Sequence, residues 1–109
     1  MLVTELINKI NFNDSCVNKL VYEKETLILD IDLCMWKQKE YNNDEPELMQ
    51  IVLKFFNCKN YKWDSDKSED EIDYDSIVDI ICKENSVKIV LEDDDVSVIT
   101  FESSEVIIE

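Results

Sequence analysis

The chain has 109 residues, of which 26 are acidic and 11 are lysines, so its formal net charge is −15 at neutral pH. It contains no His, the commonest general base and metal ligand, and no Gly, which phosphate-binding loops require. We therefore expect a protein that is not an enzyme and has no catalytic residues, cofactors or metal ions, folded as a single domain over 1–109.

The first segment has a helical pattern of apolar residues. Leu2, Leu6 and Ile10 fall on one stripe of a helix, with Ile7 beside it. This spacing favours a short amphipathic helix over 2–10, with a strand as the alternative.

The next two segments alternate apolar and polar residues, as strands with one buried face do. We predict strands over Cys16–Glu23 and 27–36, joined as a hairpin by a three-residue loop. In the second strand, Asp30, Asp32 and Trp36 lie on the face opposite to the apolar one. Paired carboxylates can do acid–base work, but no cation is arranged to activate these two, so we expect an exposed face.

A third strand follows after a polar connection that contains the only proline. We predict it over 48–58, with apolar side chains on both faces and therefore partial cover on each. Tyr61 and Trp63 continue its period of two past a bulge near 57–60.

The segment 64–75 is the most acidic part of the chain, with seven carboxylates and one lysine in twelve residues. A segment of this composition cannot bury anything, and we predict a solvated, mobile loop. The spacing of Asp64, Asp66 and Asp70 resembles part of an EF-hand. The glycine and the final glutamate of that loop are missing, so we expect no calcium site.

The rest of the chain shows short alternating runs between turn residues. We predict strands over 77–82, 87–91 and 96–101 and a terminal piece over 106–108. About six to eight short strands predict a mostly β fold, either an antiparallel sandwich or a partly open barrel, with a short N-terminal helix.

The excess of carboxylates narrows the classes of partner. An acidic surface is attracted to basic surfaces and repels phosphates, and the lysines are scattered along the sequence. We therefore expect a basic protein partner and no nucleic acid. No apolar run reaches membrane-spanning length and the first residues do not resemble a signal peptide, so we expect a cytoplasmic protein without membrane contact.

The four cysteines are Cys16, Cys34, Cys58 and Cys82, and none of them forms a Cys-x-x-Cys pair. This spacing excludes zinc ribbons and redox motifs. The three-residue hairpin loop would place Cys16 opposite Cys34, but in the cytoplasm we expect both thiols to stay reduced.

The residues that we expect to contact a partner are acidic and aromatic. They lie in the acidic loop and on the strand face beside a tryptophan, where an aromatic ring and carboxylates would form a binding surface. They are Asp30, Asp32, Trp36, Asp64, Asp66, Asp70 and Asp73.

Phe12-Asn13-Asp14-Ser15-Cys16-Val17, followed by Tyr22 and then Ile31-Asp32-Leu33-Cys34-Met35-Trp36, forms a pattern in the first third of the chain. It resembles small uncharacterised bacterial proteins that look like immunity proteins of polymorphic toxin systems. Asn13 stands where that pattern usually has His. The resemblance implies a protein that neutralises a bacterial toxin by binding it.

Three hypotheses for the function follow. The first is a non-catalytic acidic binding protein, in particular an immunity protein that covers the active site of a basic toxin such as a nuclease. The second is a cytosolic structural β domain that self-associates through strand edges or exposed aromatic residues. The third is a DNA mimic that inhibits a DNA-binding protein, which requires carboxylates spaced like phosphates.

Overall fold

The structure is a computed structural model, and it describes residues 1–72 and 74–109. In this part of the chain, one short helix precedes eight antiparallel strands, which confirms the predicted mostly β fold. The helix α1 spans Val3–Lys9, and the strands are β1 Cys16–Glu23, β2 Thr26–Cys34, β3 Leu48–Phe56, β4 Lys59–Asp64, β5 Asp75–Lys83, β6 Ser86–Glu92, β7 Val96–Glu102 and β8 Glu105–Ile108.

Burial alternates along the strands, as the sequence pattern predicts. In β2, Leu27, Leu29 and Ile31 are fully buried, whereas Asp30 and Asp32 between them lie half-buried on the outer face. Each apolar side chain of this size contributes about 1.5–3 kcal/mol when it is removed from water. The inner residues of all the strands form one continuous hydrophobic core.

The strands form one open sheet in the order β4-β7-β6-β5-β1-β2-β3-β8. Phe55 of β3 and Phe101 of β7 have four strands between them in this order, yet their rings meet edge to face with centroids 5.2 Å apart. The sheet must therefore curl around its own inner face. Two residue pairs, Cys16 with Ser76 and Val17 with Asp75, join β1 to β5 and connect the two halves of the sheet.

The helix α1 packs between β5 and β8 and closes part of the curl. Val3 and Leu6 are buried in the core, whereas Leu2, which the helical stripe placed on the buried side, is 44% exposed. The reason is that Leu2 precedes the helix and forms a β-bridge with Glu105 at the edge of β8.

The β1–β2 hairpin has a tighter turn than predicted. Only Lys24 and Glu25 form the turn, with φ angles of 51° and 60°, and Glu23 already pairs with Thr26. This conformation suits Asn-Gly best, so its formation by these two residues could not be inferred from their identity. The shorter turn and a bulge place Cys16 opposite Asp32, so the predicted register with Cys34 is wrong. All four cysteines are free thiols.

The predicted bulge near 57–60 is a corner followed by a separate strand. Asn57 adopts a φ of 52°, and β4 then pairs with β7 on the other half of the sheet. The true irregularity in β4 lies between Lys59 and Lys62, where the register to β7 shifts.

The corner lies at one end of the molecule, where four turns meet. The amide of Cys58 donates to the carbonyl of Glu25 at 2.8 Å, and the amide of Ser103 donates to that of Asn85 at 2.9 Å. The Ser103 hydroxyl also donates to the carbonyl of Phe56 at 2.6 Å. We call residues 23–26, 56–59, 83–86 and 102–105 the corner end.

Candidate protein-binding site

The loops at the opposite end of the strands carry most of the acidic residues. Two contacts join them: Lys37 Nζ lies 3.1 Å from a carboxylate oxygen of Asp14, and Lys67 Nζ lies 3.9 Å from one of Asp93. We call residues 12–15, 35–47, 64–72 and 92–96 the acidic end. It contains fourteen carboxylates and three lysines, whereas the corner end contains five and three, so the net charge of the chain is concentrated on one side.

The loop after β4 is anchored by a buried ion pair. Lys67 Nζ lies 2.8 Å from Oδ1 and 2.7 Å from Oδ2 of Asp75, whose side chain is fully buried at the start of β5. The hydrogen bond to Asp75 raises the pKa of Lys67, so the ammonium stays charged throughout the physiological range. A buried carboxylate needs such a partner, because an unpaired one would be strongly destabilising.

Further contacts hold the same loop against the sheet. The Trp63 indole donates to the carbonyl of Lys67 at 2.8 Å, and the Tyr61 hydroxyl donates to Glu69 at 2.9 Å. Ile72 is buried in the core. The prediction of a loop that buries nothing is therefore wrong, because its single lysine, its single isoleucine and Asp75 all turn inward.

A groove of about 550 Å³ lies at the acidic end. Asp14, Asp93 and Asp94 line it together with Lys37, and Tyr74 stands at its side with 64% of its surface exposed. A wide acidic groove beside an exposed aromatic ring can receive lysine or arginine side chains, by ion pairing and by cation–π contact.

The structure separates the predicted binding residues into two places. Asp64, Asp66 and Asp70 are exposed in the acidic end, and Asp73 lies outside the described residues. Asp30 and Asp32 instead lie on the outer face of β2, where Asn18 Nδ2 donates to both of them at 3.3 and 3.0 Å.

Gln50 completes the polar patch on β2, since its Nε2 lies 2.9 and 3.0 Å from the two oxygens of Asp30. The side-chain amides of Asn18 and Gln50 thus donate hydrogen bonds to the carboxylates of Asp30 and Asp32 within the patch. The patch is thus a hydrogen-bonded part of the sheet face, whereas the carboxylates of the acidic end are mostly free to meet a partner.

Trp36 does not share a strand face with these carboxylates, as the sequence pattern suggested. The strand β2 ends at Cys34, and Met35–Lys37 form a 3-10 turn, held by a hydrogen bond from the amide of Met35 to the carbonyl of Glu47. The turn moves Trp36 to the acidic end, where 49% of its surface is exposed.

Sequence reasoning missed a group of lysines on the outer face of the other half of the sheet. Lys62 of β4 and Lys88 of β6 both pair with Thr100 of β7, and Lys83 follows on β5. The scatter in the sequence hid this group, because only the register of four strands brings these residues together.

The described residues contain no group of three or more Cys, Asp or Glu that could hold a metal ion. Burial raises the pKa values of Cys34, Cys58 and Cys82, which keeps these thiols protonated and weakly nucleophilic. Within the part of the chain that the structure describes, no helix has the length and hydropathy needed to cross a membrane.

No family model matches this sequence, and no curated protein matches it. Among solved structures, the chain is similar to an uncharacterized protein from Neisseria gonorrhoeae. The TM-score is 0.49 at 14% identity, over 91% of this chain and 93% of the other.

Proposed function

We propose that this chain is a non-catalytic binding protein whose acidic end docks on a basic surface of another protein. The observation that carries this proposal is the convergence of four acidic loops at one end of the sheet, beside exposed Trp36 and Tyr74. Self-repulsion among so many carboxylates opposes folding, so a ligand of opposite charge is the simplest reason to hold them together.

The arrangement supplies both parts of a protein interface. The carboxylates attract a basic partner from a distance and speed its association. Large aromatic residues supply contact area, and they are enriched among the residues that dominate binding energy. The specific form that we favour is an immunity protein that covers the active site of a basic toxin such as a nuclease. The active site of a nuclease must attract phosphates and is therefore basic.

The experiment is a charge reversal at each end of the molecule. Asp70→Lys with Asp94→Lys alters the acidic end, and Glu23→Lys with Glu84→Lys makes the same change of charge at the corner end. The ligand is the protein encoded beside this chain's gene, and stopped-flow association rates are measured from 0.05 to 0.5 M salt. We expect the first pair to slow association about tenfold at low salt and to flatten the salt dependence, and the second to have a much smaller effect.

Trp36 provides a separate test of the contact surface. Trp36→Ala should leave the association rate nearly unchanged and speed dissociation about tenfold, since an aromatic anchor acts after the encounter. Equal effects of the two charge reversals, together with no effect of Trp36→Ala, would contradict docking at the acidic end. Co-expression of the neighbouring protein then tests the toxin form of the proposal: protection of growth supports it, and absence of toxicity opposes it.

A further inference from the structure

The two edges of the open sheet differ in how their backbone groups are used. At β8, the amide of Val106 donates to the carbonyl of Met1 at 3.0 Å, and the Met1 ammonium donates back to Val106 at 3.0 Å. The amide of Val3 also donates to Ser104. Among the described residues, by contrast, β4 forms backbone hydrogen bonds with β7 and with no other segment.

The register shows which groups of β4 are free. The two-residue turn between Lys83 and Ser86 makes these two a hydrogen-bonded pair. Along a strand, successive residues bond alternately to the strand on one side and to the strand on the other. Counted from this pair across β6, the odd-numbered residues of β7 bond to β6, which leaves its even-numbered residues to bond to β4. Lys62 and Asp64 are their partners, which leaves the amides and carbonyls of Tyr61 and Trp63 pointing outward.

We propose that this edge binds a second copy of the chain, β4 against β4 in antiparallel orientation, with Trp63 opposite Trp63 of the second copy. In this register the free amide and carbonyl of Trp63 meet those of Trp63 of the second copy, and those of Tyr61 lie opposite Ser65, the residue that follows β4. This register also places Lys62 of each copy directly opposite Asp64 of the other. The two side chains can meet because paired residues project from the same face of the sheet. The two-fold axis makes two such ion pairs.

Charge selects this register over its neighbour. A shift by one residue on each copy would centre the pairing on Lys62 and place two ammonium groups opposite each other, which is unfavourable. Lysines on edge strands commonly prevent uncontrolled pairing. Here Lys62 blocks one register, and its pairing with Asp64 favours the other. The dimer does not depend on the proposed function and would stand without a basic partner.

A charge swap tests the register. Sedimentation equilibrium at 0.15 M salt compares the wild type with Lys62→Asp, Asp64→Lys and the double swap. Each single variant creates two like-charge pairs and should raise the dimer dissociation constant about tenfold, whereas the double swap should restore it. Lys88→Asp, on the same face but inside the sheet, is the control and should leave the dimer nearly unchanged.

Hydrogen exchange gives a second measurement that does not rely on variants. The amides of Tyr61 and Trp63 should exchange more slowly as the protein concentration rises, and other exposed amides should not change. A wild type that stays monomeric at about 1 mM would overturn the proposal. So would a dimer that ignores the single changes, a swap that fails to restore it, or exchange at β4 that is independent of concentration.

Discussion

At the corner end, backbone hydrogen bonds join neighbouring turns, and five carboxylates are offset by three lysines, so the net charge is small. At the acidic end, a buried ion pair between Lys67 and Asp75 anchors a loop among fourteen carboxylates. One continuous hydrophobic core joins the two ends, so they differ in net charge and in how their loops are held rather than in apolar packing. Four measurements can break or sharpen this comparison.

The largest effect should come from the core beside the corner. Phe55 is fully buried and packs edge to face on Phe101, so Phe55→Ala should lower the free energy of unfolding by about 4 kcal/mol. Trp36→Ala at the acidic end should change it by less than about 0.5 kcal/mol. Urea unfolding followed by circular dichroism measures both, and similar losses would mean that the acidic end is part of the stabilising core.

The ion pair that anchors the acidic end should have the next largest effect. Lys67→Met leaves a buried carboxylate unpaired and should cost about 3 kcal/mol. Lys37→Met, which removes the exposed pair with Asp14, should cost at most about 1 kcal/mol. Replacing both buried partners, by Lys67→Met with Asp75→Leu, should recover most of the loss in the same urea experiment. A double variant as unstable as the single one would show that the loop is anchored in another way.

The dependence of stability on pH should show a smaller effect of Tyr61. Burial and the hydrogen bond to Glu69 raise the pKa of Tyr61, so its native phenol stays neutral while the unfolded one ionises. Its stabilising effect is complete below the ordinary tyrosine pKa and is lost as the pH rises above that value, by at most about 1.4 kcal/mol per pH unit.

Urea midpoints between pH 8 and 11 measure this slope. Tyr61→Phe should make the alkaline decline shallower. The other groups with raised pKa values keep part of the decline; they are Lys67, Tyr22, Cys34, Cys58 and Cys82. An unchanged slope in the variant would show that the ionisation of Tyr61 is not coupled to folding.

The smallest expected effect on stability comes from charge repulsion, which should be stronger at the acidic end than at the corner end. Asp94→Lys relieves repulsion among neighbouring carboxylates and should stabilise the protein by about 0.5 kcal/mol at low salt. Glu84→Lys at the corner end should change stability by only about 0.1–0.2 kcal/mol, because fewer carboxylates surround it. Addition of 0.5 M salt should remove the difference in urea midpoint. Equal shifts at low salt would mean that the repulsion is spread over the whole surface.

The strands were predictable because each buries one face. A period of two fixes the limits of β1, and it sets those of β5 to β8 within about two residues of their observed ends. Burial of one face is a local property of the sequence, so no knowledge of strand neighbours is needed to recognise it.

The errors arose where distant contacts or backbone angles decided the outcome. Trp36 left the strand because the amide of Met35 bonds to Glu47 across a connection that the pattern could not position. Asp75 was counted with the solvated charges, because its burial depends on Lys67, eight residues away. The groove and its exposed Tyr74 could not be predicted, because loops that are far apart in the sequence form them together.

The turn at Lys24 and Glu25 has a practical consequence for engineering. Both residues hold left-handed backbone angles in a chain without glycine, and a side chain in that conformation costs about 1 kcal/mol relative to glycine. Substitutions at this turn can therefore raise the free energy of unfolding at a position far from the acidic end. Lys24→Asn with Glu25→Gly should stabilise the fold and could offset destabilising substitutions introduced elsewhere to redesign the binding surface.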